Sequence, residues 1–242
     1  EDMLRLVLVS ARGKLQVLHQ SADPDFDVED EEEEQEDEEL NEDADYEDQP
    51  RKLKVLNLVP QVLGQFHVEN LKAAVPLGES SQVATIAEDL RVWEVVTGEN
   101  LFNYPPLEAV FTSLDSNFAG TLIAVGSSAG VVRMFDVANR MFPRLLVVHK
   151  ILESPITQVL FGSDQKLIAC ASDASNQIYF LETSKFRVIG HVQMEENVIS
   201  MCWSKNYVLA LLRNGLLAYF EAPRPEEPSK LEPLQVQVKF RY

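Results

Sequence analysis

A six-residue pattern that occurs five times along the chain constrains the fold more than any other feature. Each copy is an apolar strand that ends on a bulky side chain, and in four of the five a carboxylate follows directly. The copies are residues 15–20, 90–95, 132–137, 178–183 and 217–222. The bulky residues of the last four copies are Trp93, Phe135, Leu181 and Phe220, which lie 42, 46 and 39 residues apart. A repeat of this period predicts an all-β fold, a β-propeller.

Short apolar strands separated by turn residues fill the intervals between the copies, four strands to a repeat. The first blade begins with a hairpin of residues 4–10 and 14–19, and an alternating strand at 53–58 can pair on its outside. The later blades are expected at 71–104, 108–148, 155–192 and 197–221, the last followed by a strand within 234–240. The sequence therefore predicts about five four-stranded blades, the first without its innermost strand, in a single propeller domain, or part of one, over 1–242.

The negative charge of the chain is concentrated in one stretch. The chain has 39 acidic and 21 basic side chains and a formal net charge of −18. Residues 23–48 hold 18 of the acidic side chains and no Lys or Arg, so the remaining 21 acidic residues are balanced by 21 basic ones. So many like charges repel one another and bury little surface, and we expect residues 23–49 to form a disordered acidic insertion in the first blade.

Two interpretations of the acidic stretch remain open besides simple solvation. In the first, the stretch binds a basic partner such as a histone tail. In the second, it binds calcium weakly, although no Asp-x-Asp-x-Asp-Gly loop arranges its carboxylates. A polyanion repels nucleic acid and anionic membranes, so we expect neither as a direct partner. The residues that would contact a basic protein are Glu31, Glu32, Glu33, Glu34, Glu36, Asp37, Glu38 and Glu39.

A second insertion is predicted after the last copy of the pattern. Residues 222–233 carry four prolines within twelve positions. A stiff linker is the simpler interpretation of such a stretch, and an extended segment recognised by a partner is the alternative.

The sequence carries no pattern typical of catalysis or of a cofactor. Cys170 and Cys202 lie in apolar strand patterns without metal-ligand spacing, which favours buried, reduced thiols. Residues 126–130 are rich in Gly and Ser but lack a following Lys-Ser/Thr and lead into a strand, unlike a phosphate-binding loop. Ser172, Asp173 and His149 fit turn-stabilising partners better than a nucleophilic triad. We therefore expect a protein that is not an enzyme and has no metal or cofactor.

Three of the four histidines, His67, His149 and His191, precede successive blades at similar positions. The fold would hold them apart on different sheets, so a shared metal or acid–base site is not expected. Their predicted role is structural hydrogen bonding.

The endings of the repeated strands resemble those of a known family. Trp93-Glu94 is similar to the Trp-Asp ending of WD-repeat β-propellers, as are Phe135-Asp136 and Phe220-Glu221. His149 and His191 stand seven residues before the next strand, where the family has its histidine, and Asn214-Gly215 resembles the family's tight turn. The family combines this His with a Ser or Thr, an Asp and the Trp. Because Leu181 and Phe220 have no N–H donor, we expect no blade to keep the full set.

The resemblance implies a rigid platform for protein partners and a scaffold within a larger assembly. The altered Trp-Asp endings of the strands and the long insertions are similar to those of large WD-repeat proteins of cilia and flagella. This similarity implies a place in the axoneme. The alternative is a nuclear chaperone or assembly factor that binds basic clients such as histones through the acidic stretch.

The expected cellular compartment rests on the lack of secretory and membrane patterns in the sequence. No Asn-x-Ser/Thr acceptor occurs and no apolar run reaches the length of a membrane span. We expect an intracellular protein of the cytoplasm or the cilium, with the nucleus as the alternative. The chain begins with Glu1 rather than Met, and we expect it to be a segment of a longer protein.

Overall fold

The structure is a computed structural model. It describes residues 5–9, 14–20, 58–65, 67, 70–106, 108–139, 142–224 and 237–240. The acidic insertion predicted at 23–49 lies outside the described residues, as do residues 225–233 of the predicted Pro-rich insertion and residues 53–57 of the predicted outer strand.

The regular elements of the described residues are β-strands, arranged in five antiparallel sheets. The first sheet has three strands in the order β1 (Arg5–Val9), β2 (Lys14–Gln20) and β3 (Leu58–Gln65). The strand that pairs with the outside of β2 thus runs from Leu58 to Gln65, later in the chain than the predicted 53–58. In the part of the chain that the structure describes, no helix is long and apolar enough to cross a membrane.

Each of the other four sheets has four strands that pair in chain order. The second sheet consists of β4 (Ala73–Pro76), β5 (Gln82–Ile86), β6 (Leu90–Glu94) and β7 (Glu99–Tyr104). The third consists of β8 (Phe111–Ser116), β9 (Leu122–Ser127), β10 (Val131–Asp136) and β11 (Arg144–Lys150). The fourth consists of β12 (Gln158–Phe161), β13 (Leu167–Ala171), β14 (Gln177–Glu182) and β15 (Arg187–Gln193). The fifth consists of β16 (Val198–Ser204), β17 (Tyr207–Leu212), β18 (Leu217–Glu221) and β19 (Gln237–Phe240). The predicted all-β fold, with an incomplete first blade, is confirmed.

The repeated six-residue pattern forms the same strand in every complete sheet. Its four later copies are β6, β10, β14 and β18, each third in its sheet. In three sheets the pairing with the fourth strand shifts just before the bulky residue, between Val92 and Trp93, Met134 and Phe135, and Phe180 and Leu181. The shared bulge shows that these residues occupy equivalent positions.

The sheets stack face to face with their first strands innermost. β4 lies beside β8, β8 beside β12 and β12 beside β16, whereas the fourth strands are on the outside. Three apolar clusters fill the spaces between consecutive sheets from the second to the fifth. Because an inner sheet is packed on both sides, its second strand is apolar on both faces, as in β13, where all five residues are apolar and buried.

Turns of neighbouring sheets approach so closely that two of them need glycine. Gly120 has φ +66, and a Cβ added there would lie 2.3 Å from the carbonyl carbon of Leu77 in the adjacent sheet. Gly130 has φ +73, and its Cβ would lie 1.8 Å from the carbonyl oxygen of Leu152. Gly215 also has a positive φ, +81, but no atom lies within 4 Å of its Cβ position.

Comparing Gly130 with Gly215 separates the energetic cost of a steric clash from the cost of a strained backbone. Gly215→Ala should lower the free energy of unfolding by only about 1 kcal/mol, the cost of a left-handed alanine. Gly130→Ala carries the same strain and also forces the backbone away from Leu152, so we expect a loss larger by at least about 1 kcal/mol. Urea denaturation of both variants measures the difference, and equal losses would show that this turn is not packed as described.

Candidate functional site

The second sheet holds a buried hydrogen-bonded group of His, Thr and Trp side chains. Thr85 lies on β5 and Trp93 on β6, and the indole Nε1 donates to Thr85 Oγ1 over 2.9 Å. His67, which precedes β4, places its Nε2 2.7 Å from the same Oγ1. All three residues are buried, Trp93 with 6% of its surface exposed. One hydroxyl thus joins the start of the sheet to its third strand.

Charged side chains extend this group at the turn between β5 and β6. His67 Nδ1 lies 3.2 Å from Glu88 Oε2 and 3.5 Å from Asp89 Oδ1. Arg91 donates from Nε to Asp89 over 2.8 Å and from Nη2 to Glu88 over 3.0 Å. Its guanidinium lies 5.7 Å from the centre of the Trp93 ring. We call His67, Thr85, Glu88, Asp89, Arg91 and Trp93 the Trp93 cluster.

Burial keeps the His67 ring neutral within this cluster. It lowers the pKa of His67 from its ordinary value of 6.5, and this effect outweighs the opposing influence of Glu88 and Asp89. A neutral ring with its proton on Nδ1, facing Glu88, leaves Nε2 to accept the Thr85 hydroxyl proton. Thr85 then accepts from Trp93, so each polar group has a complementary partner.

The same residues are the candidate cation site among those that the structure describes. One ligand atom from each of His67, Glu88 and Asp89 lies within 4.8 Å of the others. Arg91, however, already pairs with both carboxylates at hydrogen-bond distance. The arrangement is therefore explained as a structural network without a metal ion.

Apolar residues replace this network in the later sheets. In the second sheet, Val83 lies opposite the bulky residue Trp93. The equivalent cross-strand pairs in the later sheets are Ile123 with Phe135, Ile168 with Leu181 and Val208 with Phe220. Two residues further along the second strands, Val125, Cys170 and Ala210 therefore occupy the position of Thr85. Burial raises the pKa of the Cys170 thiol, so it remains protonated. The bulky residues Phe135, Leu181 and Phe220 are buried in the clusters between sheets.

The expectation that no blade keeps the family's set of His, Thr, Asp and Trp is wrong for the second sheet. The set was missed because a Phe, not a Gly, precedes His67 and because the turn of Glu88 and Asp89 is short. The signal that could have found it is a hydroxyl and a carboxylate shortly before Trp93, with His67 upstream.

His149 and His191 lie on different sheets and away from the Trp93 cluster. His149 is on β11, half-buried, and its Nε2 contacts the carbonyl oxygen of Phe186. His191 is on β15 and stacks on Tyr179 with ring centres 5.1 Å apart. Both histidines are thus part of outer strands.

A cleft between the fourth and fifth sheets is the candidate interaction site. Its volume is about 230 Å³, and it opens at the end where β12 turns into β13 and β16 into β17. Half-buried Trp203 lines the cleft and donates from Nε1 to the carbonyl oxygen of Leu160 over 3.3 Å. The charged residues that line it are Asp164, Lys166, Lys205, Glu221 and Arg224.

Charge is unequally distributed between the two ends of these sheets. The end with the cleft carries the cations Lys166, Lys185, Arg187, Lys205 and Arg224, which we call the basic patch, beside the carboxylates of Asp164, Glu182 and Glu221. Among the described residues, the turns at the opposite end of these two sheets carry Asp173, Glu195 and Glu196 with Arg213, and Glu153, which precedes the fourth sheet, pairs with Lys150 at 3.2 Å. Arg187 pairs with Glu182 at 2.8 Å and Arg224 with Glu221 at 3.4 Å. Among the described residues, Lys166 and Lys205 have no carboxylate within ion-pair distance.

The third sheet adds exposed aromatic residues to the same end. Phe118, in the turn between β8 and β9, is 74% exposed, and Phe142, before β11, is 72% exposed. The backbone N–H of Phe118 donates to Gln165 of the fourth sheet over 2.7 Å. This end of the sheets therefore presents both cations and apolar surface.

The Trp93 cluster should make a large contribution to stability. Trp93→Ala removes a buried indole together with the hydrogen bond that it donates to Thr85, so we expect the free energy of unfolding to fall by about 3 to 5 kcal/mol. Phe142→Ala removes an exposed aromatic and should change it by less than about 0.5 kcal/mol. Chemical denaturation is the measurement, and a loss below about 1 kcal/mol for Trp93→Ala contradicts the cluster's role.

Because His67 is neutral in the folded protein, we predict that the free energy of unfolding depends on pH. Since the folded-state pKa is below 6.5, the unfolded chain binds more protons as the pH falls through this range, and stability is lost on acidification below about pH 6.5. His67→Gln should lower stability at pH 7.5 but reduce the further loss between pH 7.5 and 5.5. Parallel denaturation curves test this, and identical pH slopes in both proteins would show that His67 does not titrate as described.

Comparison with known proteins identifies a relative by sequence and several solved structures of similar fold. No protein-family model matches the chain. A WD repeat-containing protein 90 of Xenopus tropicalis is 27% identical over 122 residues, which are 48% of this chain and 6% of that protein. The chain therefore spans only a small part of the length of this relative.

Solved structures share the fold at low sequence identity. The Sqt1 protein of Chaetomium thermophilum, bound to the N-terminus of ribosomal protein L10, matches with a TM-score of 0.66 and 15% identity over 89% of this chain and 55% of that one. A chain of the mitotic checkpoint complex matches with a TM-score of 0.65 and 10% identity over 99% of this chain and 65% of that one. The computationally designed Ika8 protein matches with a TM-score of 0.63 and 14% identity, over 90% of this chain and 55% of that one. These solved structures show the fold of this chain, and the relative is a WD repeat-containing protein.

Proposed function

We propose that this chain is a non-enzymatic WD-repeat scaffold that binds other proteins within a larger assembly. The observation that carries the proposal is the basic patch at the cleft end of the fourth and fifth sheets. Lys166 and Lys205 are exposed there without an ion-pair partner among the described residues, on either side of a cleft lined by Trp203.

The chemistry of this end favours an acidic segment with an apolar anchor. The unpaired ammonium groups attract carboxylates, and the indole of Trp203 offers apolar surface at the cleft. Phe118 and Phe142 extend the apolar surface over the third sheet. The solved structures support such use of the fold, since the Sqt1 structure contains a bound N-terminal segment of another protein.

A second function is favoured by the acidic stretch at 23–48. Its 18 carboxylates would attract a basic client, which is the chemistry of a nuclear chaperone or assembly factor. Its attachment points, β2 and β3, correspond to the third and fourth strands of the later sheets. The two functions use separate surfaces, so one experiment can distinguish them.

Affinity purification with three altered proteins tests both proposals. Lys166→Glu with Lys205→Glu reverses the basic patch, and Lys72→Glu with Lys150→Glu makes the same change of charge on exposed lysines away from it. The third protein lacks residues 23–48. Each is purified from cells at low and at physiological salt, because contacts between exposed charges weaken with ionic strength.

The scaffold proposal predicts that patch reversal reduces the main partners at least about tenfold, while the control pair and the deletion retain them. We propose the axoneme of cilia or flagella as the assembly, and partners from that structure would support this placement. Retention of all partners after patch reversal contradicts the role of the patch. Basic nuclear clients that disappear with residues 23–48 would instead support the chaperone.

A further inference from the structure

Arg133, on the third strand of the third sheet, is a buried cation without a partner among the described residues. Only 6% of its surface is exposed. Its Nη1 is shielded from solvent and accepts no hydrogen-bond partner from these residues, and none of their ion pairs includes it. The guanidinium carbon lies 5.9 Å from the centre of the Phe111 ring, which belongs to the apolar cluster between the second and third sheets. A buried charge in such surroundings is costly until an anion pairs with it.

The equivalent arginine of the second sheet has carboxylate partners. Arg91 and Arg133 both stand two residues before the bulky residue of their repeat. Arg91 pairs with Glu88 at 3.0 Å and with Asp89 at 2.8 Å, five and four residues before the bulky position. The third sheet has Gly130 and Val131 at these two positions. The third sheet thus keeps the arginine but has lost both of its acidic partners.

Arg133 is next to a part of the sheet that is open to solvent. Val148, on the outer strand β11, lies directly opposite Arg133 and is 49% exposed. Residues that pair across neighbouring strands share one face of the sheet. A side chain that approaches over Val148 therefore reaches Arg133 from the outer edge of the third sheet.

We propose that Arg133 binds the carboxylate of an Asp or Glu side chain from a protein partner that contacts β11. A carboxylate matches a single guanidinium in charge and accepts two parallel hydrogen bonds from it. A phosphate group, with about two negative charges, would leave excess charge in this apolar environment. The exposed Val148 favours apolar residues on either side of the acidic one. The inference rests on the proposed role in binding proteins but not on the basic patch, which lies on the fourth and fifth sheets.

The stability of the unbound protein tests whether the folded chain itself makes use of this charge. Arg133→Met replaces the unpaired guanidinium by an apolar side chain of similar length, so the midpoint of urea denaturation should stay equal or rise. Arg91→Met is the matched control, since it removes an arginine with two carboxylate partners and should lower the midpoint. A midpoint that falls in Arg133→Met as it does in Arg91→Met would assign Arg133 a structural role and overturn the proposal.

Binding to defined peptides tests the ligand. Two immobilised peptide libraries share random apolar flanks and differ only in the central residue, which is Glu in one and Gln in the other. The complete polypeptide carries Lys166→Gln and Lys205→Gln, so that the basic patch does not contribute. We expect the Glu library to retain this protein at least about tenfold more than the Gln library, and the addition of Arg133→Met to abolish the preference. Equal retention by both libraries, or a preference that survives Arg133→Met, overturns the proposal and leaves the role of the basic patch unaffected.

Discussion

Face-to-face stacking of apolar sheets is the interaction on which the rest of this structure depends. The second and third strands of an inner sheet are apolar on both faces, so one sheet alone would leave both faces in water. Removing apolar surface from water is worth roughly 25 cal/mol per Å², and one buried aromatic such as Phe135 removes on the order of 150 to 250 Å². The close approach of Gly120 to Leu77 and of Gly130 to Leu152 follows from this stacking.

The Trp93 cluster places several hydrogen-bonded polar side chains in the interior of the structure. Hydrogen bonds between buried groups add little net stability, but each group left without its partner costs about 1 to 3 kcal/mol. Replacing all partners together by apolar residues avoids that cost. Val125 with Phe135, and Cys170 with Leu181, are such replacements in the third and fourth sheets. A repeat can therefore lose its His, Thr and Trp and keep its fold, provided that it loses them as a group.

The proposed function depends on what stacking leaves exposed. Stacking buries both faces of an inner sheet, so protein partners can contact only the turns at the two ends and the outer strands. In the fourth and fifth sheets these ends differ in charge, with Lys166 and Lys205 at one and Glu195 and Glu196 at the other. The acidic stretch adds a third, separate charge to the same chain. A rigid stack with such distinct surfaces suits simultaneous contacts with different proteins.

The sequence by itself determined the strands, their order and the repeat, because apolar strands with a bulky end at a period near 40 are a local signal that survives the loss of individual motif residues. It also identified Trp93 and its counterparts as repeat positions. Only the tertiary structure joined His67 to Thr85 and Glu88 and brought Trp203 next to Lys166. These relations depend on which sheet lies beside which. A contact between residues far apart in the chain leaves no periodic trace, so it becomes visible only once the sheets are stacked.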